Sequence, residues 1–362
     1  MPSSTSSFKR AIPDANWSLA GLVALAIFVV AIAAWEMRVR ADGYAPSVED
    51  TKDLWAATRC QISDDPDQTV VVGASRIQFD FHLQTWANAH NGQIPLQLAI
   101  PGSNPMAILE DVAASEFRGN LIIGVTPALW FVPEGAPIQI TADALDRYRD
   151  RSPAQQISLV LGKFLQYRLA MINTEDLKLS ALLTRIKLVD RAGVMPNLPP
   201  QLPPYFSGGE ETRQAQMWNK CTENSPLALR IQQIWLGLFT PPPPPPGVTP
   251  EEFHAGFLKH MDVQFGRMQT AVATIKERGG RIVFVRPPST GGLRELELKF
   301  SPREGVWNRM LADTGAPGIH FEDHPALSQF QCPEWSHLTA SDAITYSQAL
   351  MPMIAAALAD QI

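Results

Sequence analysis

Short apolar runs alternate with stretches of helical spacing along much of the chain. Four runs have the continuous apolar character of strands buried on both faces. They are TVVVGA (69–74), PLQLAI (95–100), NLIIGV (120–125) and RIVFVR (281–286), with GIHFED (318–323) as a weaker fifth. Helical spacing follows the first and second runs and precedes the fourth, at 76–89, 104–116 and 260–279. This alternation predicts an α/β fold of three layers, in which helices cover both faces of a parallel sheet.

The interval from about 135 to 250 breaks the alternation. It contains helical stretches at 153–172 and 174–189 and proline-rich stretches at 195–209 and 240–250. The second of these includes a run of prolines that lack backbone donors, which predicts an extended, solvated connector. We interpret the interval as an insertion between the third and fourth strands of a domain that runs from 41 to 362. The insertion either caps a site or thickens the domain.

An apolar segment near the N-terminus, WSLAGLVALAIFVVAIAAW (17–35), contains no charged residue. As a helix it would be roughly 28 Å long at about 1.5 Å per residue, close to the thickness of bilayer hydrocarbon. Tryptophans stand at both edges, and basic residues flank it: Lys9, Arg10, Arg38 and Arg40. A cleaved signal peptide is the alternative, but no small-residue cleavage site follows. We expect a retained single-pass anchor after a tail of residues 1–16, with the N-terminus inside and the domain on the extracytoplasmic, periplasmic side.

Composition limits the partners. The chain of 362 residues has a formal net charge of -6 and a pI near 5.7, so we expect no nucleic-acid partner. Cys60, Cys221 and Cys332 lack the CxxC spacing of zinc or redox sites. Outside the cytoplasm they would allow one disulfide and one free thiol, and the pairing stays open. The histidines show no ligand spacing, so the sequence predicts neither a metal nor a cofactor.

Small and polar residues follow the predicted strands. Ser75 follows the first, Gly102 the second and Thr126 the third, while Arg286 ends the fourth. Because ligands of such sheets bind beyond the carboxyl ends of the strands, we expect these residues to line one site. The segment CPEWSHLTASDA (332–343) brings a histidine to the same end. The site therefore contains both a serine and a histidine.

Glu334 and His337 are three positions apart, just before a C-terminal helix that a T-x-x-D pattern at Thr339 and Asp342 opens. A carboxylate one turn from a histidine can bind Nδ1 and fix the tautomer. It also offsets the charge that forms when Nε2 takes a proton from Ser75. GxS and ExxH are each weak patterns alone, but their joint placement at strand ends favours a nucleophilic serine over a turn serine.

This set of residues resembles the SGNH or GDSL-type serine hydrolases and their acyltransferase relatives. That family has a serine after its first strand, a glycine after its second, an asparagine after its third and a C-terminal D-x-x-H. GAS, PGSN, GVTP and EWSH stand at the matching positions here, and the resemblance covers 69–126 and 281–345. It implies a flavodoxin-like domain with Ser75 as nucleophile, His337 as base and Glu334 as acid.

Two departures from the family pattern matter. Glu334 replaces an aspartate, and this longer carboxylate still reaches the histidine. Thr126 replaces the asparagine, so an oxyanion hole of the Ser75 and Gly102 amides lacks its third donor unless Thr126 or Asn104 supplies one. Loss of one such donor commonly costs a factor of roughly 100 to 1000 in turnover. The departure favours slow or specialised chemistry.

Several neighbouring residues have two interpretations. We interpret Arg76 as a surface residue, whereas Arg286 either binds substrate or is structural. Trp130 and its neighbour Phe131 are candidate pocket residues, with a place in the core as the alternative.

Two further histidines and one acid remain. His320 and His324 are interpreted as structural. Asp323, which lies between them, is the triad acid if Glu334 points away.

The resemblance implies a membrane-anchored serine esterase or O-acyltransferase. Single-pass anchored relatives often act on acyl groups of envelope polysaccharides, so the expected substrate is a small-molecule or polysaccharide ester. A transferase would also have a membrane protein as its acyl-donor partner. The missing asparagine motivates the alternative, a catalytically silent SGNH-like subunit that binds or assembles within a polysaccharide-modifying complex.

Overall fold

Five parallel strands form the central sheet, as the apolar runs predict. In this computed structural model these five strands are β1 (Thr69–Val72), β2 (Leu96–Gln97), β3 (Asn120–Gly124), β6 (Arg281–Arg286) and β7 (Gly318–His320). Two further strands, β4 (Ser207–Gly209) and β5 (Ala215–Met217), lie between β3 and β6 in the chain. The sheet order is β2-β1-β3-β6-β7, and all four pairings are parallel. β4 and β5 form a separate antiparallel hairpin inside the insertion, which the sequence patterns did not predict.

The structure describes residues 16–172 and 205–361, together with Leu177 and Pro203. The predicted tail at 1–16 lies outside the described residues apart from Asn16. Most of the predicted helical stretch at 174–189 and of the proline-rich stretch at 195–209 also lies outside them.

Helices cover both faces of the sheet. The α-helices that the structure describes are α1 (Trp17–Ala41), α2 (Lys52–Arg59), α3 (Ser75–Asp80), α4 (Leu83–Ala89), α5 (Met106–Ala114), α6 (Pro127–Trp130), α7 (Ala136–Arg149), α8 (Pro153–Gln166), α9 (Pro226–Phe239), α10 (Pro250–Glu277), α11 (Gly291–Phe300), α12 (Arg309–Thr314), α13 (Pro325–Ser328) and α14 (Ala340–Ala359). Successive strand residues point to opposite faces. Val70 and Val72 accordingly pack with α2, α5, α7 and α10, whereas Val71 packs with α3, α4 and α14. The sheet therefore lies between two helical layers.

Capping explains where the predicted helices begin. The Thr339 hydroxyl accepts the Asp342 N–H (3.1 Å) at the start of α14, as the T-x-x-D pattern predicts. At α10 the side chains of Thr249 and Glu252 form a reciprocal capping box. The proline run between α9 and α10 is irregular and largely exposed, which confirms the predicted connector.

The N-terminal apolar segment is helical and exposed along its length. Among the described residues, α1 is the one helix long and apolar enough to cross a membrane. It continues beyond the predicted end at Trp35 because its last turns carry i,i+4 ion pairs, Glu36 with Arg40 (2.6 Å) and Arg38 with Asp42 (3.0 Å).

The end of β3 depends on a close approach between Gly124 and α3. A Cβ at Gly124 would lie 2.3 Å from Cβ of the buried, branched Ile77. Because Ile77 is enclosed by the core and cannot move aside, we expect Gly124→Ala to lower the free energy of unfolding by about 1–3 kcal/mol. Denaturant unfolding of the full chain in detergent measures this change.

Gly266 provides the matched control. It is exposed within α10, and a Cβ there meets no atom within 4 Å. Gly266→Ala should raise stability by about 0.5–1 kcal/mol, because alanine loses less backbone entropy in a helix. Similar effects of the two substitutions would contradict the close packing of α3 on β3.

Candidate active site

The residues predicted to form the site follow strands that end at the same edge of the sheet. Ser75 is the first residue of α3 and is half-buried. Gly102 is exposed in the turn after β2, and Thr126 is the buried N-cap residue of α6. The β1 and β2 backbones stay aligned beyond the strand ends, since the Ile100 N–H donates to the Gly73 carbonyl (3.2 Å).

Glu334 and His337 form a buried pair. His337 Nδ1 lies 2.8 Å from Glu334 Oε1, and that oxygen also accepts the backbone N–H of His337 (2.7 Å). Oε2 accepts the backbone N–H of Ser336 (3.1 Å) and the indole N–H of Trp235. Neither Glu334 nor His337 is more than 1% exposed. The carboxylate therefore lies within hydrogen-bonding distance of the ring nitrogen that the sequence analysis assigned to it.

The Glu334 contact determines which nitrogen of His337 is free. Since the other partners of this carboxylate are all N–H donors, the carboxylate accepts, and Nδ1 carries the proton towards it. Nε2 is buried and has no hydrogen-bond partner within the described part of the chain. The hydroxyl of Ser75 is therefore not hydrogen-bonded to Nε2 in this structure. Glu334 and His337 contact each other, and no hydrogen bond joins His337 to Ser75.

Hydrogen bonds join α3 to the loop that carries the histidine. Arg76 Nε donates to Ser336 Oγ (3.1 Å), and the Leu338 N–H donates to Asp80 Oδ1 (2.9 Å). Arg76 directly follows Ser75, and Ser336 and Leu338 lie on either side of His337 in the chain. The candidate nucleophile and base consequently lie in the same region of the fold, although the chain separates Arg76 from Ser336 by 260 positions.

Aromatic side chains surround the imidazole. The His337 ring centroid lies 4.4 Å from that of Phe79, 5.8 Å from Phe206 and 6.1 Å from Trp235. Phe79 belongs to α3, whereas Phe206 and Trp235 belong to the insertion. The insertion therefore contributes two of the aromatic side chains that lie around the histidine.

The hairpin of the insertion is fixed to the carboxyl edge by polar contacts. Gln214 Nε2 donates to the Gln78 carbonyl (2.8 Å), and its Oε1 accepts the Leu83 N–H (2.8 Å). Arg213 is buried and pairs with Asp50 (2.6 Å). These contacts hold the hairpin against the end of α3.

The predicted oxyanion donors are only partly available. Gly102 has φ +66° and open space around the position of a Cβ, so its turn leaves room beside the backbone. The Thr126 side chain does not cap α6. Asn104 is already engaged, because its Nδ2 donates to the Trp130 carbonyl (3.4 Å) and its Oδ1 accepts the Met106 N–H (2.9 Å). The contacts of Asn104 thus hold the loop after β2 in place.

The interpretation of Arg76 as a surface residue is wrong. Arg76 is fully buried and pairs with Glu297 (2.5 Å), which also binds Arg286. Arg286 donates to the Pro287 carbonyl (2.7 Å) as well. The reason for the burial is that α11 supplies one carboxylate between two guanidinium groups. Arg286 therefore has structural partners within the protein.

This cluster shifts the ionisation of its members. Burial alone would raise the pKa of Glu297, but Arg286 and Arg76 outweigh it and lower that pKa to about 2. Burial lowers the pKa of Arg286 to about 10 against the opposing effect of Glu297. The carboxylate therefore stays charged over the physiological range.

Other candidate residues have structural places. Trp130 is fully buried in the core and its indole N–H donates to the Gly124 carbonyl (3.2 Å), while Phe131 packs beside it. Both therefore occupy the core, the alternative left open for them, and Trp130 does not line a pocket here.

The residues of the 320–324 segment have their own contacts within the fold. Asp323 pairs with Arg303 (2.5 Å), and the carboxylate that lies beside His337 Nδ1 is that of Glu334. Burial, together with the nearby positive charges of Arg286 and Arg303, lowers the pKa of His320 to about 3. His324 is the N-cap residue of α13.

Sequence reasoning missed the residues that the insertion contributes. Trp235 and Phe206 belong to no recognisable motif, and the hairpin around Gln214 is too short to give a strand pattern. The available signal was the indole of Trp235, a polar group on the apolar face of a helix that needs an acceptor when buried.

The three cysteines form no disulfide in this structure. Cys60, Cys221 and Cys332 are all free, with Cys60 exposed and the other two buried. Across the residues that the structure describes, no group of three or more His, Cys, Asp or Glu could hold a metal ion.

Comparison with protein-family models, curated proteins and solved structures gave no match to this chain.

We expect Glu297→Gln to destabilise the protein by about 3–5 kcal/mol, because it leaves two buried guanidinium groups without a carboxylate. Glu295→Gln, on the exposed side of the same helix, is the control and should change stability by no more than about 0.5 kcal/mol.

The pH dependence gives a second readout. The folded pKa of Glu297, about 2, is below the ordinary value of 4.5, so its stabilising effect is complete above pH 4.5 and lost as pH falls towards 2. The free energy of unfolding of the wild type should therefore fall more steeply between pH 4.5 and pH 2 than that of Glu297→Gln. If the stability of both proteins falls equally with pH, the Glu297 carboxylate does not stabilise the two buried arginines.

Proposed function

We propose that this chain is a membrane-anchored serine esterase or O-acyltransferase of SGNH type. One observation carries the proposal: His337 Nδ1 lies 2.8 Å from the buried Glu334 carboxylate, while Nε2 has no partner among the described residues. The helix that begins at Ser75 packs directly against this pair. Abstraction of a serine proton requires a base with a fixed tautomer and a free second nitrogen.

The topology of the sheet supports the SGNH interpretation. Counted along the chain, its five strands have the order 2-1-3-4-5, which is that of flavodoxin-like sheets. In that arrangement the ligand site lies where the order reverses, between the first and third strands. Ser75 follows β1 and Thr126 follows β3, so these candidates flank the expected position.

The proposed reaction proceeds through an acyl-enzyme. Ser75 Oγ attacks the ester carbonyl as its proton passes to His337 Nε2, and Glu334 offsets the imidazolium charge. The N–H groups of Ser75 and Gly102, with Thr126, stabilise the oxyanion. Collapse of the tetrahedral intermediate breaks the ester C–O bond, and the leaving alcohol takes the proton from His337. Water or an acceptor hydroxyl then attacks the acyl-serine with His337 again as base.

The surroundings of the imidazole favour an acyl ester as substrate. Phe79, Phe206 and Trp235 make the surroundings of His337 apolar, while Arg76 and Arg286 are buried and share the Glu297 carboxylate. An acyl group suits such a lining better than an anionic group does. The substrate class proposed is an ester of a small molecule or of an envelope polysaccharide, and a transferase would receive its acyl group from a membrane protein.

A second function has its own support. No hydrogen bond joins Ser75 to His337 Nε2. Thr126 also stands where the family has an asparagine as its third oxyanion donor. A catalytically silent SGNH-like subunit of a polysaccharide-modifying complex fits both observations. In the enzyme, a hydrogen bond between the Ser75 hydroxyl and His337 Nε2 would form when substrate binds, whereas the silent subunit does not require one.

Labelling with a serine-reactive fluorophosphonate tests the proposed nucleophile. We expect the wild type to react and Ser75→Ala to lose all labelling, because the removed hydroxyl is the attacking group. His337→Asn should slow labelling by about 100-fold or more, since general-base catalysis contributes about that much. Ser341→Ala, an exposed serine close to His337 in the chain, is the control and should label normally.

A folded wild-type protein that does not label would favour the silent subunit. Labelling that persists in Ser75→Ala would place the reactive serine elsewhere. Product analysis with and without an acceptor then separates the two enzyme classes, because a hydrolase releases free acid without any acceptor and a transferase does not.

The anchor is tested by fractionation. We expect the full chain, including the 17–35 peptide detected by mass spectrometry, to stay in membranes washed with alkaline carbonate, because α1 can span the hydrocarbon. An impermeant maleimide should label the exposed Cys60 in spheroplasts if the domain is extracytoplasmic, with Cys60→Ser as the control. A chain that begins after Trp35 would indicate a cleaved signal peptide.

A further inference from the structure

The helix α8 exposes its apolar side chains to solvent. No residue of α8 is buried in the structure. The large apolar residues on and just after this helix are between 46% and 66% exposed: Ile157, Val160, Leu161, Phe164, Leu165 and Tyr167. They recur at helical spacing and form one continuous stripe, which we call the α8 stripe. A soluble domain rarely leaves a stripe of this size in water.

Polar residues of α8 face the domain. Lys163 pairs with Glu211 (2.5 Å), and Gln166 Oε1 accepts the Glu49 N–H (3.2 Å). The usual arrangement of a surface helix, apolar side inward and polar side outward, is therefore reversed. The helix is held to the protein by polar contacts while its apolar side faces away.

The end of α8 is bonded to the end of α1. Glu36 accepts the N–H groups of Ala170 (2.9 Å) and Met171 (2.8 Å), and Arg40 Nη2 donates to the Arg168 carbonyl (2.9 Å). Glu36 and Arg40 are one turn apart, directly after the apolar stretch of α1. The C-terminal end of the α8 stripe therefore lies near the point where α1 would leave the hydrocarbon.

We propose that α8 lies in the interfacial layer of the membrane that α1 crosses, with the α8 stripe inserted among the acyl chains. The inference rests on the proposed anchoring by α1. Helices that lie in this layer have an apolar face and basic flanking residues at the headgroup level. Arg151 and Arg168 are exposed at the two ends of α8, with Arg168 stacked over the Phe164 ring (3.9 Å). The domain is consequently held against the bilayer at two points, which restricts its rotation about the anchor.

Fluorescence quenching on the full chain in liposomes containing anionic lipid tests the inference. In a Cys60→Ser background, single cysteines replace Val160 in the α8 stripe, Ala26 in the middle of α1, and the exposed Glu277 at the end of α10. The buried Cys221 and Cys332 stay in place. Each variant carries an environment-sensitive maleimide dye, and quenching by nitroxide lipids is compared with quenching by aqueous iodide.

We expect the dyes at 160 and 26 to be quenched by nitroxide lipids, and the dye at 277 by iodide. Quenching at 160 by iodide, with 26 quenched by lipid, would overturn the inference and leave the anchor intact. Protection at 160 from both quenchers would also overturn it, because a second copy or another protein segment would then cover the stripe. Iodide quenching at 26 would refute the anchoring and the inference together. None of these results depends on catalysis.

Discussion

The candidate site depends on one buried carboxylate. Glu334 is fully buried, and its oxygens meet four N–H groups, from Ser336, Trp235 and both the backbone and the ring of His337. A carboxylate removed from water is costly unless donors replace its hydration. Trp335 takes φ +78°, in the left-handed region, within the turn that brings two of these backbone donors back to the carboxylate. The hydrogen bonds offset a backbone strain of about 1–3 kcal/mol. The turn, the orientation of the imidazole and the attachment of α9 all follow from the need to pair this group.

A second group of buried charges fixes the other half of the site. Glu297 on α11 lies between Arg76 on α3 and Arg286 at the end of β6, and Arg76 also bonds to Ser336 in the histidine loop. Because Arg76 directly follows Ser75, the start of α3 is tied to the sheet and to the loop at once. Buried ion pairs of this kind contribute more to position than to net stability. The residue that follows the serine is thus hydrogen-bonded to the loop that carries the histidine.

The parts predicted from sequence are those that local patterns encode. The strands are continuous apolar runs, α14 has its cap at Thr339, and the pairing of Glu334 with His337 is a contact between residues three positions apart. Arg76 was misjudged because its partner, Glu297, is remote in sequence and no local pattern reveals it. The hairpin and Trp235 were missed for the same reason. The apolar stretch of α8 was recognised as helical, but periodicity alone does not tell which side of a helix faces the protein. The Ser75 rotamer depends on packing and substrate, which sequence does not specify.

The tautomer of His337 is the most direct test of this account. In 15N-labelled protein at neutral pH, the ring nitrogen shifts and couplings report which nitrogen carries the proton. We predict a proton on Nδ1, bonded to Glu334, and a lone pair on Nε2 that is free to accept the serine proton. A proton found on Nε2, with Nδ1 unprotonated, would contradict the central claim, because His337 could then not act as the base for Ser75.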